Sequence, residues 1–291
     1  MRRGLSIIVA AYDRPDQLLQ TLSSLSQLHI PPGVDAELLV VLNVRMKETA
    51  SVVEQARHTA SIPLRLIPER RPGLSHARNQ GMEEASYDHI AYFDDDVRVA
   101  VNWIDGFFEA VDCLSADCVV GPVSPLYCEQ VPAYVSDEVL SSILSLYSQK
   151  GERMKVLDVE VGHEIPGCNF GVRKQVAMDV GGFSPRFGRA GSVIVGGDDF
   201  EFGRRLVAAG RRVVYQPRCA IEHAITNEKL GKSWLRRRWY GNGVFQRRLS
   251  ADPAFVRPLW SSMRSVVSMS GRFMWALVLG LCGARAASFE Q

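Results

Sequence analysis

Apolar positions along the chain fall into short runs separated by amphipathic stretches of similar length. Residues 5–11, Leu-Ser-Ile-Ile-Val-Ala-Ala, are apolar and β-branched, as a buried parallel strand requires. Tyr12-Asp-Arg-Pro15 breaks the run. A helix to about Leu28 follows, with Leu18, Leu19, Leu22 and Leu25 on one face and Asp13 or Asp16 available as its cap. Pro31-Pro32-Gly33 closes that unit. The same alternation predicts strands at 37–42 and 64–67 and helices at 47–60 and 74–85, the last capped by Ser75 or a neighbour. Residues 90–93 form a fourth short strand that runs directly into Asp94, Asp95 and Asp96. Repeated strand–helix alternation implies right-handed βαβ units on a parallel sheet.

The second half is less regular. The pattern predicts a helix at 102–113 with Trp103, Phe107 and Phe108 inward, a strand at 117–120, an irregular segment at 121–138 and a helix at 139–149. Strands at 155–161 and 167–172 and a helix at 173–180 come next. A glycine-rich loop then leads to a helix at 199–209, a strand at 212–216 and a basic helix at 233–249.

At 291 residues the chain has room for one large α/β domain or two modest ones. A net charge of +2 gives no global case for binding nucleic acid, although Lys and Arg crowd into residues 229–248. The six cysteines form no CxxC pair and read as reduced, mostly buried thiols of a cytoplasmic protein. No window has 18 uncharged apolar residues, so no spanning helix is predicted. Residues 273–284 are uncharged and flanked by Arg272 and Arg285. That tail is too short to span a bilayer yet apolar enough to need burial, against its own domain, in a homodimer, against another partner, or peripherally at the inner membrane face.

Ligands in open α/β sheets bind beyond the carboxyl ends of strands, which is where Asp94–96 stand. Three adjacent carboxylates repel one another, and a hard cation such as Mg²⁺ or Mn²⁺ removes that cost while leaving positions for phosphate. A solvated acidic turn is the plain alternative. Asp198, Asp199 and Glu201 open a helix, either as favourable charges on its macrodipole or as a general base reached through the Gly196-Gly197 lead-in. His223 is a structural histidine or a further Mn²⁺ ligand. Arg78 offers a fork for phosphate at a helix start, or a surface charge. Arg236, Arg237 and Arg238 beside Trp239 clamp a diphosphate or an anionic acceptor, meet anionic lipid, or form a solvated helix face. Tyr12, Asp13, Asn43 and Arg78 follow strands one and two or open the third helix, so they gather at one sheet edge as a nucleotide pocket.

Seven pieces then occur in a telling order. They are Ser6-Ile-Ile-Val-Ala-Ala-Tyr-Asp-Arg-Pro15, Gly73-Leu-Ser-His-Ala-Arg-Asn79, Phe93-Asp-Asp-Asp96, Gly167-Cys-Asn-Phe-Gly-Val-Arg173, Gly181-Gly-Phe-Ser-Pro-Arg-Phe-Gly188, Gly196-Gly-Asp-Asp-Phe-Glu-Phe202 and a late His223. Together, over about residues 4–225, they resemble the family 2 glycosyltransferases of GT-A fold. The resemblance implies a Rossmann-like, mostly parallel sheet flanked by helices. It divides residues 1–225 into a nucleotide-binding half to 120 and an acceptor half from 121, with 226–291 as a basic helical extension.

It also implies inverting transfer of one sugar from a nucleotide-diphosphate donor to a glycan, lipid-linked or small-molecule acceptor, with Mn²⁺ or Mg²⁺. Asp199 matches the base. Asp94, Asp96 and His223 match metal ligands. Ala11, Tyr12, Asp13, Arg14, Asn43, Arg78, Asp94 and Asp95 match the donor site. Asn169, Asp198 and Trp239 match the acceptor site, and Arg236 and Arg238 the diphosphate site. Asp198 replaces the usual Glu, and Leu42-Asn43 replaces an Asp that contacts the base. Leu235-Arg-Arg-Arg-Trp239 replaces the Gln-x-x-Arg-Trp of processive members, so a processive synthase is not expected. The rivals are a sugar-nucleotide pyrophosphorylase, whose basic glycine-rich loop after the first strand is missing here, and a non-catalytic nucleotide-sugar-binding module.

Overall fold

A computed structural model describes residues 3–43, 47–135, 146–148, 153–157, 165–189 and 196–251. By compactness the chain divides into Met1–Phe245 and Gln246–Gln291. The apolar stretch at 273–284 lies outside the described residues.

The first half is three strand–helix units and a fourth strand: β1 (Arg3–Ala11), α1 (Pro15–Leu25), β2 (Val34–Asn43), α2 (Lys47–Arg57), β3 (Leu64–Glu69), α3 (Leu74–Glu84) and β4 (His89–Asp94). The chain continues through β5 (Val97–Val99), α4 (Trp103–Leu114), β6 (Cys118–Val120), β7 (Val123–Tyr127), β8 (Lys155–Val156), β9 (Asn169–Arg173), α5 (Lys174–Asp179) and α6 (Asp198–Ala208). It then passes through β10 (Val213–Tyr215), β11 (Ile221–Ile225), α7 (Asn227–Leu230) and α8 (Lys232–Ser250).

Eight strands form one sheet in the order β3-β2-β1-β4-β9-β6-β10-β8. The β3-β2-β1-β4 half is parallel, and β9 enters antiparallel between β4 and β6. Pleating sends alternate side chains to opposite faces. Leu5, Ile7 and Val9 of β1 join an apolar layer with Leu18, Leu22 and Leu25 of α1, Val53 of α2 and Trp103 and Phe107 of α4. Ile8, between them, faces Ala77 and Met82 of α3 and Phe202 and Leu206 of α6. The fold is therefore a sheet between two helical layers.

Several expectations are corrected. Helix α1 starts without a side-chain cap from Asp13 or Asp16; Pro15 fixes its first turn instead. Helix α3 also lacks a side-chain cap, because the Ser75 hydroxyl turns to Asp198. The segment at 121–138 is not wholly irregular: β7 pairs parallel with β11, and β5 pairs antiparallel on its other side. Pro125 is tolerated because β7 is an edge strand of this three-stranded sheet. Residues 136–145, most of the helix expected at 139–149, lie outside the described residues, and Tyr147 makes a bridge to Val123. The strand expected over 155–161 is seen at Lys155–Val156, with 158–164 outside the described residues, as is 190–195 of the glycine-rich loop.

The small sheet matters most for the site. Instead of resting in a solvated turn, the Asp triplet leads straight into β5. His223 pairs in register with Val97, and Ala224 N–H donates to the Asp96 carbonyl at 2.9 Å. Asp95 and Asp96 are thereby buried.

Candidate active site

Strands β1 and β4 are parallel neighbours, with Ala10 opposite Asp94, so the loops leaving their carboxyl ends meet. Ala11 is buried, whereas Tyr12 and Asp13 are exposed at the edge. Tyr12 N–H donates to Asp95 Oδ2 at 3.2 Å. The Arg14 guanidinium forms ion pairs with Asp95 and, at very close range, Asp96. Burial alone would lower the Arg14 pKa, but Asp95, Asp96 and Asp94 hold it above its ordinary value.

The three acids have different fates. Burial pushes Asp95 up to about 6, against the opposing field of Arg14. Burial also raises Asp96, but His223, Lys229 and Arg14 outweigh it and keep Asp96 well below the usual carboxylate range. Asp94 stays partly open and pairs with Arg78 Nη2 at 3.3 Å. Asp96 Oδ1 is buried without a hydrogen bond among the described residues, 3.3 Å from His223 Nε2. A carboxylate oxygen and an imidazole nitrogen this close, with Asp96 Oδ1 accepting no hydrogen bond among the described residues, are donor types that suit a Mn²⁺ or Mg²⁺ ion. Glu222, the neighbour of His223, points away and is exposed, as strand alternation requires.

The second acid cluster begins α6. Asp198 is buried and accepts hydrogen bonds from Ser75 Oγ at 2.9 Å and Arg78 Nη1 at 3.2 Å. Ser75 and Arg78 are three residues apart on α3, so one helix face delivers both. Asp199 is half-buried. Its Oδ2 accepts from Gly167 N–H at 3.0 Å, while its Oδ1 accepts from Phe200 N–H at 2.9 Å. Burial raises the Asp199 pKa, the adjacent Asp198 adds to the effect, and Arg78 opposes it. Residue 167 must be glycine for this approach, since a Cβ there would sit 2.3 Å from Asp199 Oδ2 and 2.9 Å from Arg78 Nη2.

Arg78 is thus placed differently from a phosphate fork facing solvent. It is buried, donates to Asp94, Asp198 and the Gly167 carbonyl, and ties the two acid clusters together. Asn43 is also spent on structure: its amide donates to the Arg71 carbonyl and accepts from Gly73 N–H, shaping the turn into α3. Asn169, expected at the acceptor, is fully enclosed. Its oxygen accepts from Trp103 Nε1 and its NH₂ donates to the Pro122 and Cys219 carbonyls. That leaves no part of the Asn169 side chain to touch an acceptor, because a buried amide must satisfy its groups locally.

On α8, Arg236 is exposed, Arg238 is buried and Trp239 is partly exposed. Phe245 packs edge-on to Phe187 and Phe200, which seats the helix against the start of α6. Among the described residues Arg238 Nε and Nη1 are buried without hydrogen-bond partners. Burial and the nearby Arg189 push Arg238 down to about 10, against the fields of Asp199, Asp198 and Asp94. The two guanidinium groups meet over Gly196, where a Cβ would lie 2.4 Å from Arg238 Nη1 and 3.4 Å from Arg189 Nε. Two like charges converging with unspent donors make a natural seat for an anion.

Sequence reasoning missed three participants. Lys229, expected beside Arg236–Arg238 at a diphosphate or anionic acceptor, instead brings its ammonium within 2.7 Å of Asp96. Ser75 was read as a cap, and Gly167 only as part of a motif. Among these, only the spacing of Ser75 and Arg78 on one helix face offered a local signal.

This sheet, with an acid-bearing strand end facing a second acid pair across a bridging arginine, has the GT-A fold of nucleotide-sugar-dependent transferases. S. aureus TarS 1-349, solved in complex with UDP-GlcNAc, aligns with a TM-score of 0.55 at 16% identity, covering 77% of this chain and 58% of that one. GalNAc-T7, solved with UDP, GalNAc and Mn²⁺, aligns at 0.56 with 17% identity, covering 77% and 44%. The chain thus spans little more than half of the first structure and less than half of the second.

The chain belongs to glycosyl transferase family 2, whose model matches residues 6–181, and is a glycosyltransferase. The succinoglycan biosynthesis protein ExoM of Rhizobium meliloti (strain 1021) is 25% identical over 259 residues, 88% of this chain and 79% of that protein. The glucosyl-dolichyl phosphate glucuronosyltransferase of Haloferax volcanii is 25% identical over 248 residues, 84% and 76% respectively. Among the described residues no helix is long and apolar enough to cross a membrane.

Proposed function

We propose that this protein transfers one sugar, with inversion and without processivity, from a nucleotide-diphosphate sugar to a hydroxyl of a small-molecule, lipid-linked or glycan acceptor. The observation that carries the reading is Asp199: a half-buried carboxylate of raised pKa, anchored by Gly167 N–H and joined through Arg78 to the Asp94–96 strand end.

A hydroxyl is a poor nucleophile until its proton has somewhere to go. Asp199 accepts that proton as the acceptor oxygen attacks the anomeric carbon and the bond from that carbon to the diphosphate oxygen breaks. Attack opposite the leaving group inverts the centre. Asp198, locked on Ser75 and Arg78, positions the start of α6. Exposed Tyr12 and Asp13 take the nucleoside side, with Asn43 holding the neighbouring turn. Arg238 and Arg189 receive a phosphate oxygen of the donor. Asp96 and His223, with Asp94 two residues before Asp96, would hold the divalent ion, which would supply positive charge to the leaving diphosphate. The UDP-containing neighbours, one with Mn²⁺, support the donor class and the ion, and the name of the H. volcanii relative supports a lipid-linked acceptor.

The test is a panel of nucleotide sugars and acceptors with and without Mn²⁺, reading the anomeric configuration of the product by NMR. Transfer should require the ion and invert the centre, and Arg238→Gln should weaken nucleoside diphosphate binding more than nucleoside binding. A product of retained configuration rules out direct displacement. Donor binding with no transfer to any acceptor favours a binding module.

A further inference from the structure

The Lys229 ammonium lies 2.7 Å from Asp96 Oδ2, 3.2 Å from His223 Nε2 and 2.9 Å from the Ala224 carbonyl oxygen. A carboxylate oxygen, an imidazole nitrogen and a carbonyl oxygen are the donor types that a divalent ion of this class collects. We infer that Lys229 is a resident cation: it fills the position of the divalent ion while the site waits, and vacates it when the ion binds. The inference rests on the reading of Asp96 and His223 as metal ligands and adds an occupant of their site.

Four features support exchange over permanent pairing. Asp96 already has Arg14, which is shared with Asp95 and so fixed from two sides, whereas Asp96 is the one acid in the ion pairs seen for Lys229 among the described residues. The Lys229 side chain keeps 13% exposure, a route outward. Lys229 also sits on α7, a four-residue helix without a side-chain cap, and its stem has four rotatable carbons. Among the described residues Asp96 Oδ1 accepts no hydrogen bond, with only His223 Nε2 at 3.3 Å, although Oδ2 is crowded with cations. The ammonium therefore leaves an acceptor unspent, which a divalent ion of higher charge uses. A monovalent and a divalent cation cannot share one position, so the two compete.

The consequence is that the protein alone binds the ion weakly, and removal of Lys229 strengthens binding. Mn²⁺ titrations of the full chain, followed by electron paramagnetic resonance without nucleotide, test this on wild type, Lys229→Gln, Lys229→Met and Asp96→Asn. Circular dichroism checks folding. The glutamine and methionine variants should bind Mn²⁺ about tenfold more tightly or better, the scale of one lost charge-assisted contact. In wild type, acetylation of Lys229 by an amine-reactive ester, read by mass spectrometry, should rise when Mn²⁺ is added. Equal or weaker Mn²⁺ binding in both Lys229 variants overturns the inference, and so does unchanged or reduced labelling in wild type. If Asp96→Asn loses Mn²⁺ while the Lys229 variants match wild type, the metal reading stands and the role of Lys229 fails alone. No Mn²⁺ binding by any folded form removes both.

Discussion

Asp96 and Asp199 are carboxylates at the same edge of one sheet, yet their surroundings oppose each other. Around Asp96 stand Arg14, Lys229 and His223, and its pKa falls despite burial. Around Asp199 the neighbouring acid Asp198 takes two hydrogen bonds, from Ser75 and Arg78, and its charge pushes Asp199 upward in the same direction as burial. Charge compensation suits a group that must stay ionised to hold a cation. Partial frustration suits a group that must accept a proton near neutral pH. One fold therefore gives the same side chain two opposite electrostatic settings by controlling which cations reach it.

The largest way to break this contrast is Asp199→Asn. It should keep folding and nucleotide binding while transfer falls about 10²–10⁴-fold, measured as single-turnover rates. Near-normal turnover in that variant would move the base elsewhere. Next comes the link between the clusters. Arg78→Met should destabilise the fold by about 3–5 kcal/mol in urea unfolding, since it leaves buried acids uncompensated, and Arg78→Lys should rescue little because one ammonium cannot reproduce the fork to Asp94, Asp198 and the Gly167 carbonyl. A stability unchanged in both variants would show that the clusters do not depend on Arg78.

The subtlest test concerns pH. As the proposed base Asp199 would have to be ionised, and its pKa is raised, so turnover should fall with acidification at a higher pH than an ordinary carboxylate would give. Asp198→Asn removes the negative neighbour and frees Arg78 to oppose protonation of Asp199. Both changes lower the Asp199 pKa, so the acid limb of the kcat profile should move to lower pH. A limb moving upward would reverse the assigned coupling.

Much of the scaffold was legible in the chain itself. The β-branched apolar run through Ile7, Ile8 and Val9, the Leu18, Leu22 and Leu25 stripe of α1 and the entry of β4 into Asp94 each follow from local pattern, because periodicity reports which face of an element is dry, although Leu19, expected on that stripe, is exposed. The acid-rich start of α6 was equally plain. Pattern could not reveal that β9 runs antiparallel inside a parallel sheet, or that β5 and β7 flank β11. A short strand pairs with whichever partner the whole topology brings beside it.

The same division runs through the site. The sequence by itself determined that carboxylates stand at two loop ends and that arginines and a late histidine are available. Only tertiary structure decided that Arg78 joins the acids instead of facing phosphate, that Asn169 is sealed by Trp103, and that Lys229 and His223 both converge on Asp96 across more than a hundred residues. Residue type sets what a group can do, but its charge state and its partners depend on distances and burial. Those quantities are created only when β5 and β11 zip together and α3 is pressed against the start of α6.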